Sequence, residues 1–211
     1  MAASLRLAPV STQGALFELF PVVNCRNESA ARNAYGNAAQ EAAYRLLAID
    51  RIPIDGRYRV NFDGKRGDTY YEMKSLRLVG GKVIVYDCRI EKERATGVPL
   101  RYLLICHGLK KERADVLQKM LDGGLVFYDL PAELIHTYAL TLKLRTVKTD
   151  ARSRSEGRPG YRRPGYDKGY RNVSVSKMLK TPGVTITEKE IPNPLGAGCV
   201  VLRSVTWEAE G

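Results

Sequence analysis

Along residues 28–49, "ESAARNAYGNAAQEAAYRLLAI", small or apolar side chains return at Ala31, Ala34, Tyr35, Ala38, Ala39, Ala42 and Leu46, with polar residues between them. That three-to-four-residue spacing predicts an amphipathic helix, with Asn27 placed to cap its first turn. Pro53 and Gly56 close the segment, and the period then changes. The stretch "RYRVNFDGKRGDTYYEMKSLRLVGGKVIVYDCRI" holds three β-rich runs separated by the turn signals "GKRGD" and "LVGG", which predicts a three-stranded antiparallel meander. Further on, "LRYLLICHG" is a continuous apolar run suited to a buried strand. "LKKERADVLQKMLDGG" reads as a surface helix stopped by glycines, "LVFYDL" as a strand and "PAELIHTYAL" as a helix with proline in its first turn. "RNVSVSKML" resumes order after a break, and "GCVVLRSVTWEA" reads as a closing strand. Helices and strands alternate irregularly, so the class is α/β or α+β.

With 211 residues and 44% hydrophobic content, the chain can bury one sizeable core, so residues 1–211 are read as a single domain. Residues 150–170, "DARSRSEGRPGYRRPGYDKGY", replace aliphatic side chains with glycine, proline and arginine and predict a mobile basic loop. The formal charge of +11 favours a polyanionic partner, with nucleic acid ahead of an anionic membrane. The longest apolar runs fall far short of the roughly 20 residues a membrane-spanning helix needs. Cys25, Cys88, Cys106 and Cys199 form no CxxC pair and no secretory leader is legible, which fits a reducing cytoplasm. His107 and His136 are the two histidines, so neither a zinc finger nor a histidine-based zinc hydrolase can be assembled, and any metal must sit on oxygens. Each histidine is read as a structural group or a hydrogen-bond donor to a base.

The oxygens are found in "NFDGKRGDTYYEMKSL", residues 61–76. Strand alternation puts Tyr70, Glu72 and Lys74 on one face. A two-residue turn at Arg66 and Gly67 sets Asp63 opposite Tyr70 and diagonal to Glu72, whereas a four-residue turn over Gly64 to Gly67 sets it opposite Asp68, from where a bulge is needed to bring it back. Asp63 and Glu72 together offer hard oxygen ligands to Mg²⁺, which commonly takes one or two protein carboxylates plus a phosphate of its substrate. The Lys74 ammonium beside them would orient an attacking water and stabilise charge growing on phosphorus.

Asp63, eight intervening residues and then Glu72-Met73-Lys74 resembles the D-x(n)-(D/E)-x-K signature of the PD-(D/E)XK nuclease superfamily, with a helix in front as that restriction-endonuclease-like αβββ opening requires. "YYEMKS" is similar to the metal-site strand of type II restriction endonucleases, and the resemblance covers roughly residues 28 to 90. It implies a mixed central sheet flanked by helices, with Asp63 and Glu72 as metal ligands and Lys74 as the catalytic lysine. Many relatives add an acidic residue from the preceding helix, for which Glu41 is the candidate and Gln40 the next choice. Two features depart from the pattern. Phe62 stands where the family name has proline, and "EKERATGVP" is too short for a full crossover helix, so either "DCRIEKERA" is helical or "KKERADVLQKML" takes another place.

Residues 152–171 carry seven cations (Arg152, Arg154, Arg158, Arg162, Arg163, Lys168, Arg171) against Glu156 and Asp167, interleaved with Tyr161, Tyr166 and Tyr170. Arginine grips phosphates and tyrosine stacks on bases or sugars, so the segment is expected to clamp DNA through Arg152, Arg154, Arg158, Tyr161, Arg162, Arg163, Tyr166, Lys168 and Arg171. A solubilising insert or an RNA-binding segment has the same composition. Together these features and the resemblance imply a Mg²⁺-dependent endonuclease on double-stranded DNA, with Mn²⁺ able to substitute. A homodimeric restriction enzyme comes first, a Holliday-junction resolvase or repair nuclease next, and a non-enzymatic nucleic-acid-binding protein is the rival.

Overall fold

The computed structural model describes residues 28–52, 62–77, 81–109, 114–145 and 169–209. The chain is α+β, with a mixed central sheet flanked by helices. Its elements in order are α1 (Glu28–Leu47), β1 (Asp50–Arg51), β2 (Gly64–Arg66), β3 (Thr69–Arg77), β4 (Lys82–Tyr86), α2 (Asp87–Ala95), β5 (Leu100–His107), α3 (Val116–Gly123), β6 (Leu125–Pro131), α4 (Ala132–Leu140), β7 (Tyr170–Ser174), α5 (Val175–Met178), β8 (Val184–Ile191) and β9 (Val200–Trp207). Seven strands form the main sheet in the order β1-β2-β3-β5-β6-β9-β8, while β4 and β7 make a separate two-stranded sheet. The pairs β3–β5 and β6–β9 are parallel; every other pair is antiparallel.

Side-chain alternation along β5 explains the layering. Leu103 and Ile105 face one core with Ala38, Ala39, Ala42 and Ala43 of α1 and Met120 of α3. Tyr102, Leu104 and Cys106 face the other, with Ile90 of α2, Leu134 and Ile135 of α4 and the inner side of the small sheet. The alanine stripe of α1 follows its sequence period, and its small methyl groups bring the middle of the helix close to the strands, with Tyr35, Tyr44, Leu46 and Leu47 packing around it.

The expected meander forms only in part. β2 and β3 make the hairpin, but residues 53–61 lie outside the described region, and β4 leaves for β7 while β5 takes the place beside β3. The reason is how many faces each strand can bury. β5 is apolar on both sides and buried on both, as a central strand must be. β4 buries Val83 and Val85 but leaves Ile84 50% exposed, a pattern for a strand with one wet face.

A parallel β3–β5 pair needs a crossover, and "DCRIEKERA" supplies it as α2. Asp87 lies in its first turn and Lys92 and Arg94 in its last, matching the helix dipole. Gly97, at φ +64°, reverses the chain directly after the C-cap Thr96. Strand β8, which the sequence reading left unassigned, forms one edge of the main sheet, so "GCVVLRSVTWEA" supplies an inner strand, β9.

Candidate metal and phosphodiester site

The β2–β3 turn falls on Gly67 and Asp68, one residue later than the expected two-residue turn and different from the four-residue one, because Arg66 pairs with Thr69. Gly67 takes the first turn position at φ +58°, where a tight hairpin turn demands a left-handed backbone. Gly64 therefore pairs with Tyr71, yet the amide of Asp63 also donates to the Tyr71 carbonyl, at 2.9 Å. Two residues of one strand share a single partner, which is a β-bulge, and it turns Asp63 toward β3. Gly64 is required beside it: a Cβ there would stand 2.5 Å from a methyl carbon of Ile49.

The carboxylate of Asp63 continues the sheet where backbone pairing stops. Its Oδ2 accepts the Met73 amide at 2.7 Å, its own carbonyl accepts the Tyr44 hydroxyl at 2.7 Å, and Gln40 from α1 lies close enough to favour its ionised form. Glu72, the residue before Met73 on β3, is 5% exposed, and its two oxygens are held by Lys74 Nζ and by an Arg89 guanidinium nitrogen. Arg89 also contacts Glu93, whose second oxygen accepts the Tyr102 hydroxyl at 2.8 Å and meets His136 Nε2 at 2.8 Å. A chain of ionic contacts thus runs inward from Lys74 through Glu72 and Arg89 to a fully buried Glu93.

Burial pushes the Asp63 carboxyl above its ordinary range, against the Met73 amide and the charges of Lys74 and Arg89. Burial also raises Glu72, opposed by Lys74 and reinforced by the charge of Asp63. Glu93 goes the other way: its burial is outweighed by the hydrogen bonds from His136 and Arg89, and its carboxyl sits below the usual range. The group holds three carboxylates, Asp63, Glu72 and Glu93, against two cations, Lys74 and Arg89. Burial disfavours the ionised forms of the two carboxylates nearest the surface, and both offer the hard oxygens that a small divalent cation takes as ligands. Among the described residues no group of three or more His, Cys, Asp or Glu side chains gathers as a metal cluster, and this site would have to complete its shell with water or substrate oxygen.

No family model, no curated protein and no solved structure matches the chain.

Of the residues singled out from sequence, Asp63, Glu72 and Lys74 come together. Glu41 instead pairs with Arg45 at 2.6 Å and Arg51 at 2.5 Å, while α1 reaches Asp63 through its neighbour Gln40 and through Tyr44. Arg152, Arg154, Arg158, Tyr161, Arg162, Arg163, Tyr166 and Lys168 lie outside the described residues. Arg171 is engaged in the fold, bonding Asp87 at 2.8 and 3.2 Å and the carbonyls of Leu140 and Leu142. The flanks of the basic segment meet, since Arg145 and Tyr170 exchange backbone hydrogen bonds of 2.9 and 2.7 Å. Gly169 accepts the amide of Asp87, two residues before Arg89 in α2. His136 is consumed by Glu93, while His107 is buried and stacked on Tyr35 with ring centroids 5.4 Å apart. None of the described helices is long and apolar enough to cross a membrane.

Sequence reasoning missed Arg89 and Glu93. Their signal was the four-residue spacing on α2, which in sequence looks like an ordinary solvated helix ion pair.

Proposed function

We propose that this chain is a Mg²⁺-dependent endonuclease that hydrolyses phosphodiester bonds of double-stranded DNA. The observation that carries the reading is the bulge at Asp63, which brings a second carboxylate beside the Glu72-Met73-Lys74 strand. The basic composition and the position of the basic segment's stem, hydrogen-bonded to the start of α2, support a nucleic-acid substrate. In this reading Asp63 and Glu72 hold the metal, which when bound polarises the phosphate and acidifies a water. Lys74, anchored through Glu72, orients that water for in-line attack and stabilises the charge developing on the phosphoryl oxygens. The Tyr44 hydroxyl and the Met73 amide fix Asp63 beside β3. The new bond joins water oxygen to phosphorus, the bond from phosphorus to the 3′-oxygen breaks, and the products end in a 5′-phosphate and a 3′-hydroxyl. As a type II restriction enzyme it would act as a homodimer, with one such site for each strand of a palindrome.

Glu72→Ala tests this directly. Cleavage of a long duplex in Mg²⁺ should fall at least about a hundredfold, in line with loss of a transition-state charge contact, while duplex binding in Ca²⁺ persists. Unchanged cleavage by the variant, or a wild type that cuts no duplex in Mg²⁺, would defeat the reading and leave a nucleic-acid-binding protein. Discrete fragments from the wild type favour restriction, and preference for branched DNA favours a resolvase.

A further inference from the structure

We infer that Arg89 occupies the place of the metal's charge in the metal-free chain and hands Glu72 over only when a divalent cation arrives. This rests on the metal site proposed above and adds a positioning residue to it. Glu72 has both carboxylate oxygens engaged by side-chain cations, and one of them, Lys74, comes from its own strand two residues on. Arg89 reaches Glu72 from a different element, α2, and is tied from behind by Glu93, whose side chain has no exposure to solvent. Glu93 cannot swing away, because Tyr102 from β5 and His136 from α4 hold its other oxygen at 2.8 Å each. The guanidinium is therefore a tethered cation rather than a free one. Its side chain is 31% exposed, so it is not sealed in the core as the Glu93 side chain is.

The consequence is a competition. A divalent ion binding Asp63 and Glu72 has to displace the guanidinium from Glu72, and the guanidinium, still held by Glu93, stays beside the site with its charge. The group that best replaces the lost carboxylate is a phosphodiester, which matches the planar fork of arginine. Metal binding alone is thereby weakened and metal binding together with a phosphodiester is favoured, a coupling that must act equally in both directions.

The test is Mn²⁺ binding to the full chain without DNA, followed by calorimetry and by water-proton relaxation. Arg89→Gln should tighten Mn²⁺ binding by about tenfold or more, the direction Coulomb's law requires when a neighbouring positive charge is removed. It should at the same time slow cleavage, an opposition that mere loss of structure cannot produce. Adding Glu72→Gln should abolish binding in both backgrounds. Should Arg89→Gln unfold because Glu93 is left buried without a cation, Arg89→Gln with Glu93→Gln removes both charges and carries the same expectation. Unchanged or weaker Mn²⁺ binding in the folded variant overturns the inference, and if the wild type still binds Mn²⁺ through Glu72 the metal site survives it. Absence of binding in wild type and variant alike overturns both.

Discussion

Helices α1 and α2 dock on opposite faces of the same two strands, β3 and β5, by opposite means. α1 presents Ala38, Ala39, Ala42 and Ala43, all nearly or wholly inaccessible, to Tyr71, Met73, Leu103 and Ile105. α2 presents Ile90 together with Arg89 and Glu93 to Glu72 and Tyr102. Among the described residues, the contact of α1 with β3 and β5 is carried by these apolar side chains without an ion pair. A buried ion pair is weak evidence of stabilisation, since well-packed apolar residues of similar volume often do as well or better. The charges under α2 are better explained by the space they frame, where Lys74 and Arg89 converge on Glu72, than by what they add to folding. The difference teaches that the α1 face secures the sheet and the α2 face equips it.

Breaking the α2 face should have the larger effect. Glu93→Gln leaves Arg89 without its buried counterion and mismatches the bonds to Tyr102 and His136, so it should cost roughly 3 kcal/mol in urea unfolding at neutral pH. The cost should depend on acidity. The folded chain holds the Glu93 carboxyl below its ordinary value of 4.5, so ionisation contributes stability above that pH, and the contribution is lost as pH falls through the lower folded value. The gap between variant and wild type should therefore narrow in acid; a constant gap would mean that the charge on Glu93 is not what matters. On the other face, Ala42→Leu should cost roughly 1–3 kcal/mol by pushing α1 away from Tyr71 and Met73. That cost should be the same at pH 5 and pH 8, because overpacking moves no proton. A pH-dependent penalty there would show that the two faces are coupled through β3.

The contrast between the faces also decides what could be read from the sequence. The alanine stripe of α1 was legible because a helix facing one apolar layer writes its period in local composition. The convergence of Asp63 with Glu72 and Lys74 was legible as residue types at hairpin distance. The register was not, because Gly67 fits either position of a tight turn and only the pairing of Arg66 with Thr69 chooses between them. The exchange of β4 for β5 beside β3 depends on β7, a strand 84 residues beyond β4 at the Tyr86–Tyr170 pair, and no local period encodes such a partner. Arg89, Glu93 and His136 come from two helices, α2 and α4, and become one network only when both pack behind Tyr102. Arg171, read with the basic segment for its charge, is bonded to Asp87 across a separation of 84 residues.

The smallest effect should be the most informative about the space between the faces. Asp63→Asn keeps an oxygen for the Met73 amide and removes a charge that burial disfavours. A carboxyl whose folded value is raised above its ordinary 3.8 binds its proton more tightly in the folded chain, so its contribution to stability is present below pH 3.8 and is lost as pH rises through the folded value. With chelator present, the wild type should therefore lose ground to Asp63→Asn between acid and pH 8, by less than about 1 kcal/mol, the scale of one hydrogen bond. Mg²⁺ should reverse the order at pH 8, because a cation that binds only the folded wild type stabilises it by mass action. If Mg²⁺ lifts both proteins equally, Asp63 contributes nothing to a metal site and its carboxylate serves only to close the sheet at Met73.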